Sequence, residues 1–213
     1  MAERKRPRRT RERIVENSLS LFNCDGAPHV TTADIAAAMG ISPGNLYYHF
    51  RNKDEIVAEL FAAFERRLSQ LAVAPRGRPA GVEDLWFFLH LLFEVMWDYR
   101  FLYRDLDEIL SRDRVLASRF GRITQQGTDT VVRLCRSMAA AGVMRASERE
   151  IAALASNVGL VATYWISYQK ISANGGAATV SLDRAAYQVL SLIAPFLVGH
   201  HRALLDRLSQ DYL

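Results

Sequence analysis

The chain has 213 residues, 50% hydrophobic and 23% charged, the composition of a folded globular protein, and this excludes a chain disordered throughout. Its formal charge of +4 is concentrated at the start: residues 1–53 hold nine Lys/Arg against five Asp/Glu, and the rest of the chain holds eighteen of each. The N-terminal quarter therefore suits an acidic partner.

The basic excess begins in "ERKRPRRTRER", which carries Arg4, Lys5, Arg6, Arg8, Arg9, Arg11 and Arg13. Such a run is either a solvated tail or an arm for nucleic acid, and the aromatic motif that follows it favours the arm. No apolar segment follows the arginines as in a secretion signal, and no uninterrupted apolar run reaches membrane-spanning length. The expectation is a cytoplasmic protein with no membrane partner. Cys24 and Cys135 lack metal-ligand spacing and are expected to be reduced, buried thiols.

The first helix is marked by Ile14, Val15, Ser18, Leu19 and Phe22 on one face, and Asp25-Gly26 supplies its end. A second, short helix is capped by Thr31 or Thr32 and has Ile35, Ala36 and Met39 as its apolar face, up to a break at Gly40. Ser42 is suited to cap a third helix, with Pro43 at its first position and with Leu46 and Phe50 pointing to the core at a four-residue spacing. Two short helices joined by Gly40-Ile41-Ser42 make a helix-turn-helix, whose second helix enters the major groove of DNA.

With Leu46 and Phe50 turned inward, Ser42, Pro43, Gly44, Asn45, Tyr47, Tyr48 and His49 lie on or near the outer side of that third helix. Asn45 can read a base edge by paired hydrogen bonds, as amides do best with adenine; Tyr48, His49 and Lys53 can bond phosphate oxygens, and the Tyr rings can pack on thymine methyls. Gly44 lets backbone approach backbone.

The stretch "TTADIAAAMGISPGNLYYHFRNKDEIVAELF" resembles the DNA-binding domain of TetR-family transcriptional regulators, in its Thr-Thr helix start, small-residue turn, Leu-Tyr-x-His-Phe and following Asn-Lys. The resemblance covers residues 10–56. It implies phosphate contacts from Thr32, Tyr48 and Lys53 and groove contacts from Pro43, Gly44, Asn45, Tyr47 and His49. Ala33 departs from members that carry a long polar side chain there, which leaves base reading to the third helix and the arm.

A fourth helix follows Lys53, with Ile56, Val57, Leu60, Phe61, Phe64, Leu68 and Leu71 as its buried face, and ends before the Pro/Gly-rich "APRGRPAG". The resemblance implies that this helix links a DNA-binding domain, residues 1–53, to an all-helical effector and dimerisation domain, residues 54–213. Within the latter, "DLWFFLHLLFEVMWDYRFLYRDL" gathers eight aromatic residues. They form either a plain aromatic core or a pocket for a small apolar effector, with Trp86, Phe93 and Trp97 as walls and His90, Arg100, Tyr103 or Arg104 as orienting groups. His90, Glu94 and Asp98 share a helix face, but a buried His and two solvated or paired acids suit the surrounding apolar groups better than a metal. No nucleophile elbow, phosphate loop or catalytic triad set is visible, so neither an enzyme nor a cofactor is expected.

Near the C-terminus two long apolar-striped helices are expected over residues 149–170 and 182–208, the second kinked at Pro195. The stripes include Ala155, Gly159 and Ala162 on the first and Val189, Ile193 and Phe196 on the second. They serve either internal packing or a partner copy, and the resemblance implies a four-helix homodimer seam. The reading is an all-α homodimer that binds a pseudopalindromic operator in double-stranded DNA and acts as a repressor under effector control; the alternatives are an activator, an effector-independent regulator, or a small-molecule-binding enzyme.

Overall fold

The computed structural model describes residues 7–71, 77–172 and 182–212. Among them every regular element is helical, and one isolated antiparallel bridge joins Met144 to Leu197. The helices form two compact units, one from residues 1–69 with 98–117, the other from residues 70–97 with 118–213. These units do not divide at residue 53, because the fourth helix and the 98–117 segment pack with the N-terminal helices.

The first unit opens with α1 (Pro7–Asp25), α2 (Thr32–Ala38), α3 (Pro43–His49) and α4 (Lys53–Ser69). Gly26, at φ +98°, stops α1 and returns its N–H to the Phe22 carbonyl, a conformation that a Cβ would strain. Thr31, not Thr32, caps α2: its hydroxyl accepts from the Asp34 N–H while the Asp34 carboxylate accepts from the Thr31 N–H, a reciprocal capping box. The helix ends in a Schellman turn, with Gly40 at φ +62°, the Gly40 N–H on the Ala37 carbonyl and the Ile41 N–H on the Ala36 carbonyl. Ser42 then caps α3 through the Asn45 N–H at 3.2 Å.

The core of this unit contains Ile14, Phe22, Ile35, Leu46, Phe50, Ile56, Leu60, Phe61 and Phe64, all essentially without exposed surface. The apolar face of α4 closes at Phe64; Leu68 is only half-buried and Leu71 lies beyond the helix end. Two short helices complete the core, α6 (Phe101–Arg104) and α7 (Leu106–Arg112), separated from α5 (Val82–Asp98) by a break at Tyr99 and Arg100. Here Phe22 meets Phe101, and Phe64 meets both Tyr99 and Tyr103, at ring separations of 5.4 to 5.9 Å.

The break has an identifiable cause. The Asn23 carboxamide donates to the Asp98 carbonyl at 2.7 Å and accepts from the Phe101 N–H at 3.1 Å, replacing the bonds that a continuous helix would make there. Arg104 adds its guanidinium to the carbonyls of Phe22, Asn23 and Cys24 at the end of α1, of which Phe22 also accepts from the Gly26 N–H, and Asp105 accepts from the Ala27 N–H.

The second unit contains α5 up to Trp97, most of α8 (Arg114–Ala140), α9 (Glu148–Ser172), α10 (Leu182–Ile193) and α11 (His200–Leu208). α9 begins with a second capping box, Ser147 with Glu150, and packs along α10. Pro195 does more than kink the last segment: α10 stops at Ile193, a 3₁₀ turn follows, Leu197 extends to bridge Met144, and Gly199 at φ +57° precedes α11. The glycine removes the steric cost of that reversal, so the chain can start a new helix instead of bending the old one.

Candidate nucleic-acid interface

The outer face of α3 is built from a short helix fastened at three points. Leu46 and Phe50 sink completely into the core, Ser42 caps the N-terminus, and Arg11 of α1 donates from Nη1 to the His49 carbonyl at 2.6 Å. Seven residues make a helix too short to persist alone, so these anchors fix its direction. What remains outside is Pro43, Gly44, Asn45, Tyr47 and Tyr48, with Tyr48 78% and Tyr47 52% exposed. Two adjacent aromatic side chains this open on one short helix are a concentrated use of exposed apolar surface.

The remaining residues of the sequence-derived set lie in the same unit. Thr32 is half-buried and shares a hydrogen bond of 3.0 Å with the Tyr47 hydroxyl, so the first turn of α2 steadies a side chain of α3. His49 is half-buried and meets the Tyr48 ring edge-on at 5.1 Å. Lys53, at the start of α4, donates from Nζ to the Ala27 carbonyl at 2.6 Å and keeps two further ammonium donors. A Cβ on Gly44 would meet only Ser42 Oγ, at 4.0 Å, so nothing in the protein requires glycine there, while a close approach from outside would.

Of the basic arm, Arg4, Lys5 and Arg6 lie outside the described residues. Arg11 is not an arm residue in the expected sense: its guanidinium is committed to His49, to Glu59 of α4 and to the face of the Phe50 ring, 4.0 Å from Cζ to the centroid. The sequence offered no signal for this, since the partners lie 38 and 48 residues away.

The expected effector set is divided between the units. Trp86, His90, Phe93 and Trp97 lie on α5, whereas Arg100 and Tyr103 belong to the first unit. Trp86 stacks on His90 at 5.5 Å, and His90 in turn faces Glu94 at 3.5 Å. Phe93 is buried, Trp97 is 38% exposed, and Tyr103 is buried against Phe64, where burial pushes its hydroxyl well above the usual phenol range. A cavity of about 150 Å³ lies wholly in the first unit and is lined by none of these six residues; its floor is Ala27, Pro28, Val57, Ile109 and Leu116 and its rim Lys53, Asp54, Glu108, Arg112 and Asp113. Asp98 pairs with Arg67, so the row His90, Glu94, Asp98 does not converge.

The expected dimer seam needs correction. Ala155, Val189 and Ile193 have no exposed surface in the single chain and so none to give to a partner. Gly159, Ala162 and Phe196 are half-buried, and the Gly159 position faces Thr128 of α8 at ordinary contact distance. The apolar surface left open on α9 is instead Leu160, Tyr164, Tyr168 and Ile171, one stripe at spacings of four, four and three. α9 is also long and apolar enough to cross a membrane, at a mean hydropathy of 1.2. Cys24 is exposed, not buried as expected; Cys135 is buried, and burial pushes its thiol up to about 11.

A helix-turn-helix with an exposed, aromatic second helix, set in an all-helical chain, defines the class of DNA-binding regulators. Residues 14–60 match the family described as "Bacterial regulatory proteins, tetR family", and residues 63–205 match that described as "Bacterial transcriptional repressor". The chain belongs to the TetR family of transcriptional regulators and is not an enzyme.

It is similar to the regulator TcmR of Streptomyces glaucescens, at 34% identity over 71 residues, 33% of this chain and 31% of that one. TtgR of Pseudomonas putida is 34% identical over 86 residues, 40% of each chain. The chain thus spans about a third of the length of the curated relatives it matches. A crystal structure of a TetR-family regulator from Marinobacter aquaeolei VT8 is 37% identical, covers 95% of this chain and 98% of its own, and superposes with a TM-score of 0.85. CprB of Streptomyces coelicolor, solved in complex with its operator sequence, shares the fold at 17% identity, with 97% and 100% coverage and a TM-score of 0.68.

Proposed function

We propose that the protein is a homodimeric repressor that reads a pseudopalindromic operator with α3 and leaves it when a small apolar or amphipathic molecule binds. The observation that carries the DNA reading is the division of α3 into a buried pair, Leu46 and Phe50, and an open face of Asn45, Tyr47 and Tyr48. Asn45 reads a base edge, Tyr48 and Lys53 hold phosphates with Thr32, and Pro43, Gly44, Tyr47 and His49 line the groove contact. Residues 1–53 carry the DNA-contacting groups within the first unit, and the effector and dimerisation roles fall to the second unit, residues 70–97 with 118–213.

A single chain has one recognition helix, and a palindrome needs two about 34–36 Å apart. The exposed stripe Leu160, Tyr164, Tyr168 and Ile171 supports the α9 face as the seam between copies, which would also account for the apolar length of α9 without lipid. The Trp86 and His90 stack on α5, with Trp97 partly open, supports an effector that enters the second unit beside aromatic rings.

Genomic footprinting with the purified chain tests this reading. Protected inverted repeats are expected, with bound complexes of two chains per site; uniform, sequence-independent protection would overturn it.

A further inference from the structure

We infer that Arg11 is a positioning residue for sequence reading rather than a phosphate contact: it sets the angle at which α3 is presented, and Glu59 is its necessary partner. The inference rests on the proposed reading of DNA by α3.

The geometry is specific to a guanidinium. One nitrogen, Nη1, donates to the carbonyl of His49, the last residue of α3, where no further turn of helix exists to satisfy it. The other, Nη2, pairs with the Glu59 carboxylate on α4. Between them the plane of the group lies over Phe50, the ring that anchors the joint between α3 and α4 and is fully buried. A single side chain from α1 therefore touches the end of α3, the joint after it and the helix beyond.

A positive group at a helix C-terminus also complements the macrodipole, and the cation over the ring adds its own attraction. Lysine cannot reproduce this, because a compact ammonium lacks the planar fork that spans a carbonyl and a carboxylate while stacking. At its N-terminal end α3 has the Ser42 cap and the Thr32 to Tyr47 hydrogen bond, and at its C-terminal end it has Arg11. Releasing one end of a two-turn helix allows it to tilt in the groove. Base-edge hydrogen bonds are directional, so a tilt costs them first, whereas attraction to phosphates is long-ranged and survives.

The two roles give different signatures. A phosphate contact adds about 0.9 to the slope of log affinity against log salt for B-DNA, whatever the sequence. A positioning residue leaves that slope unchanged and alters the ratio between operator and scrambled duplex. The test titrates the full-length wild type, Arg11→Gln, Arg11→Lys and Glu59→Gln with a selected operator and a scrambled duplex of equal length, between 50 and 300 mM KCl, with circular dichroism on each.

Arg11→Gln and Arg11→Lys are each expected to lose operator preference by about tenfold, the size of one lost directional contact; scrambled binding stays nearly unchanged in Arg11→Lys, which keeps the charge, and weakens in Arg11→Gln by less than the operator does. Glu59→Gln is the more telling variant, because removal of an acid should strengthen binding to any duplex by charge alone; the inference requires that operator preference fall nonetheless. Should Arg11→Gln fail to fold, the lysine and Glu59 variants carry the test. Equal loss on both duplexes with a slope reduced by about one, or preserved preference in Glu59→Gln, overturns the inference. A wild type without operator preference would instead overturn the reading on which it rests.

Discussion

The guanidinium of Arg104 donates to the Asn23 carbonyl at the C-terminal end of α1, 3.3 Å away and 81 residues distant in sequence. The same group reaches the Phe22 and Cys24 carbonyls, while the Asn23 side chain holds the break between α5 and α6 open. The segment "YRFLYRDL" thus places its aromatic residues in the core of the first unit and its Arg-Asp pair on the end of α1.

Arg104→Ala leaves two part-buried carbonyls, of Phe22 and Asn23, and the exposed one of Cys24 without their charged donor. A loss of about 2–3 kcal/mol in unfolding free energy is expected in urea denaturation, and Arg104→Lys should recover only part of it. Asn23→Ala is expected to cost about 1–2 kcal/mol, since both hydrogen bonds at the break disappear together. A loss below 0.5 kcal/mol for both variants would show that water replaces them without penalty.

The face of α9 supplies a prediction about assembly. Tyr164→Arg or Leu160→Asp changes only open surface and should yield folded monomers in sedimentation, whereas Ile193→Asp buries a charge in the chain itself and should yield unfolded or insoluble protein. A dimer that survives both surface changes places the seam elsewhere.

How much of this could be read from the sequence depends on how local the cause is. The helix-turn-helix was legible because Gly26, Gly40, Ser42 and Pro43 act on their own neighbours, and because Leu46 and Phe50 announce the buried face by spacing alone. The break at Tyr99 was not legible, since Asn23 makes it from 75 residues away. Periodicity revealed apolar stripes on α9 and α10 but not which stripe faces a neighbour within the chain; α9 and α10 bury Ala155, Val189 and Ile193 and leave Leu160 and Tyr164 open. At Pro195 the local rule gave a kink, and Gly199 with the Met144 to Leu197 bridge turned it into a helix end.

The capping boxes predict a pH dependence. Hydrogen bonds from the Thr31 hydroxyl and then its N–H hold Asp34 below the usual carboxylate range, and the Ser147 N–H and hydroxyl do the same for Glu150. A folded pKa below the unfolded one means that the stabilisation is present above the ordinary carboxylate range near pH 4 and is lost as pH falls through the folded value. The protection of amides at the first turn of α2 and of α9, relative to their intrinsic exchange rate at each pH, should therefore fall below about pH 4, and Asp34→Asn should remove the dependence at α2. Unaltered protection of α2 down to pH 2 in the wild type would contradict this. Thr31→Ala, at neutral pH, is expected to cost about 1 kcal/mol.

On α5, Phe93 and Trp86 are expected to behave differently. Phe93 is buried, so Phe93→Ala should cost about 3–5 kcal/mol of stability, whereas Trp86 is half-buried, and Trp86→Phe should be well tolerated and should remove the emission of the ring that stacks on His90. A screen of apolar and amphipathic compounds by Trp emission is expected to find one that also releases DNA. A hundredfold release needs a difference of about 2.7 kcal/mol between the two states. Compounds that shift the emission without touching DNA affinity would separate the aromatic cluster from regulation.

The proposal that α3 reads DNA through Asn45 and its neighbours is tested most directly by selection from a random duplex pool, run in parallel with the wild type and Asn45→Ala. The wild type is expected to converge on an inverted repeat with half-site centres about one helical turn apart, and Asn45→Ala is expected to lose one base preference per half-site while retaining salt-dependent affinity for duplex. A wild-type pool that never converges, or an Asn45→Ala pool with an identical consensus, would contradict it.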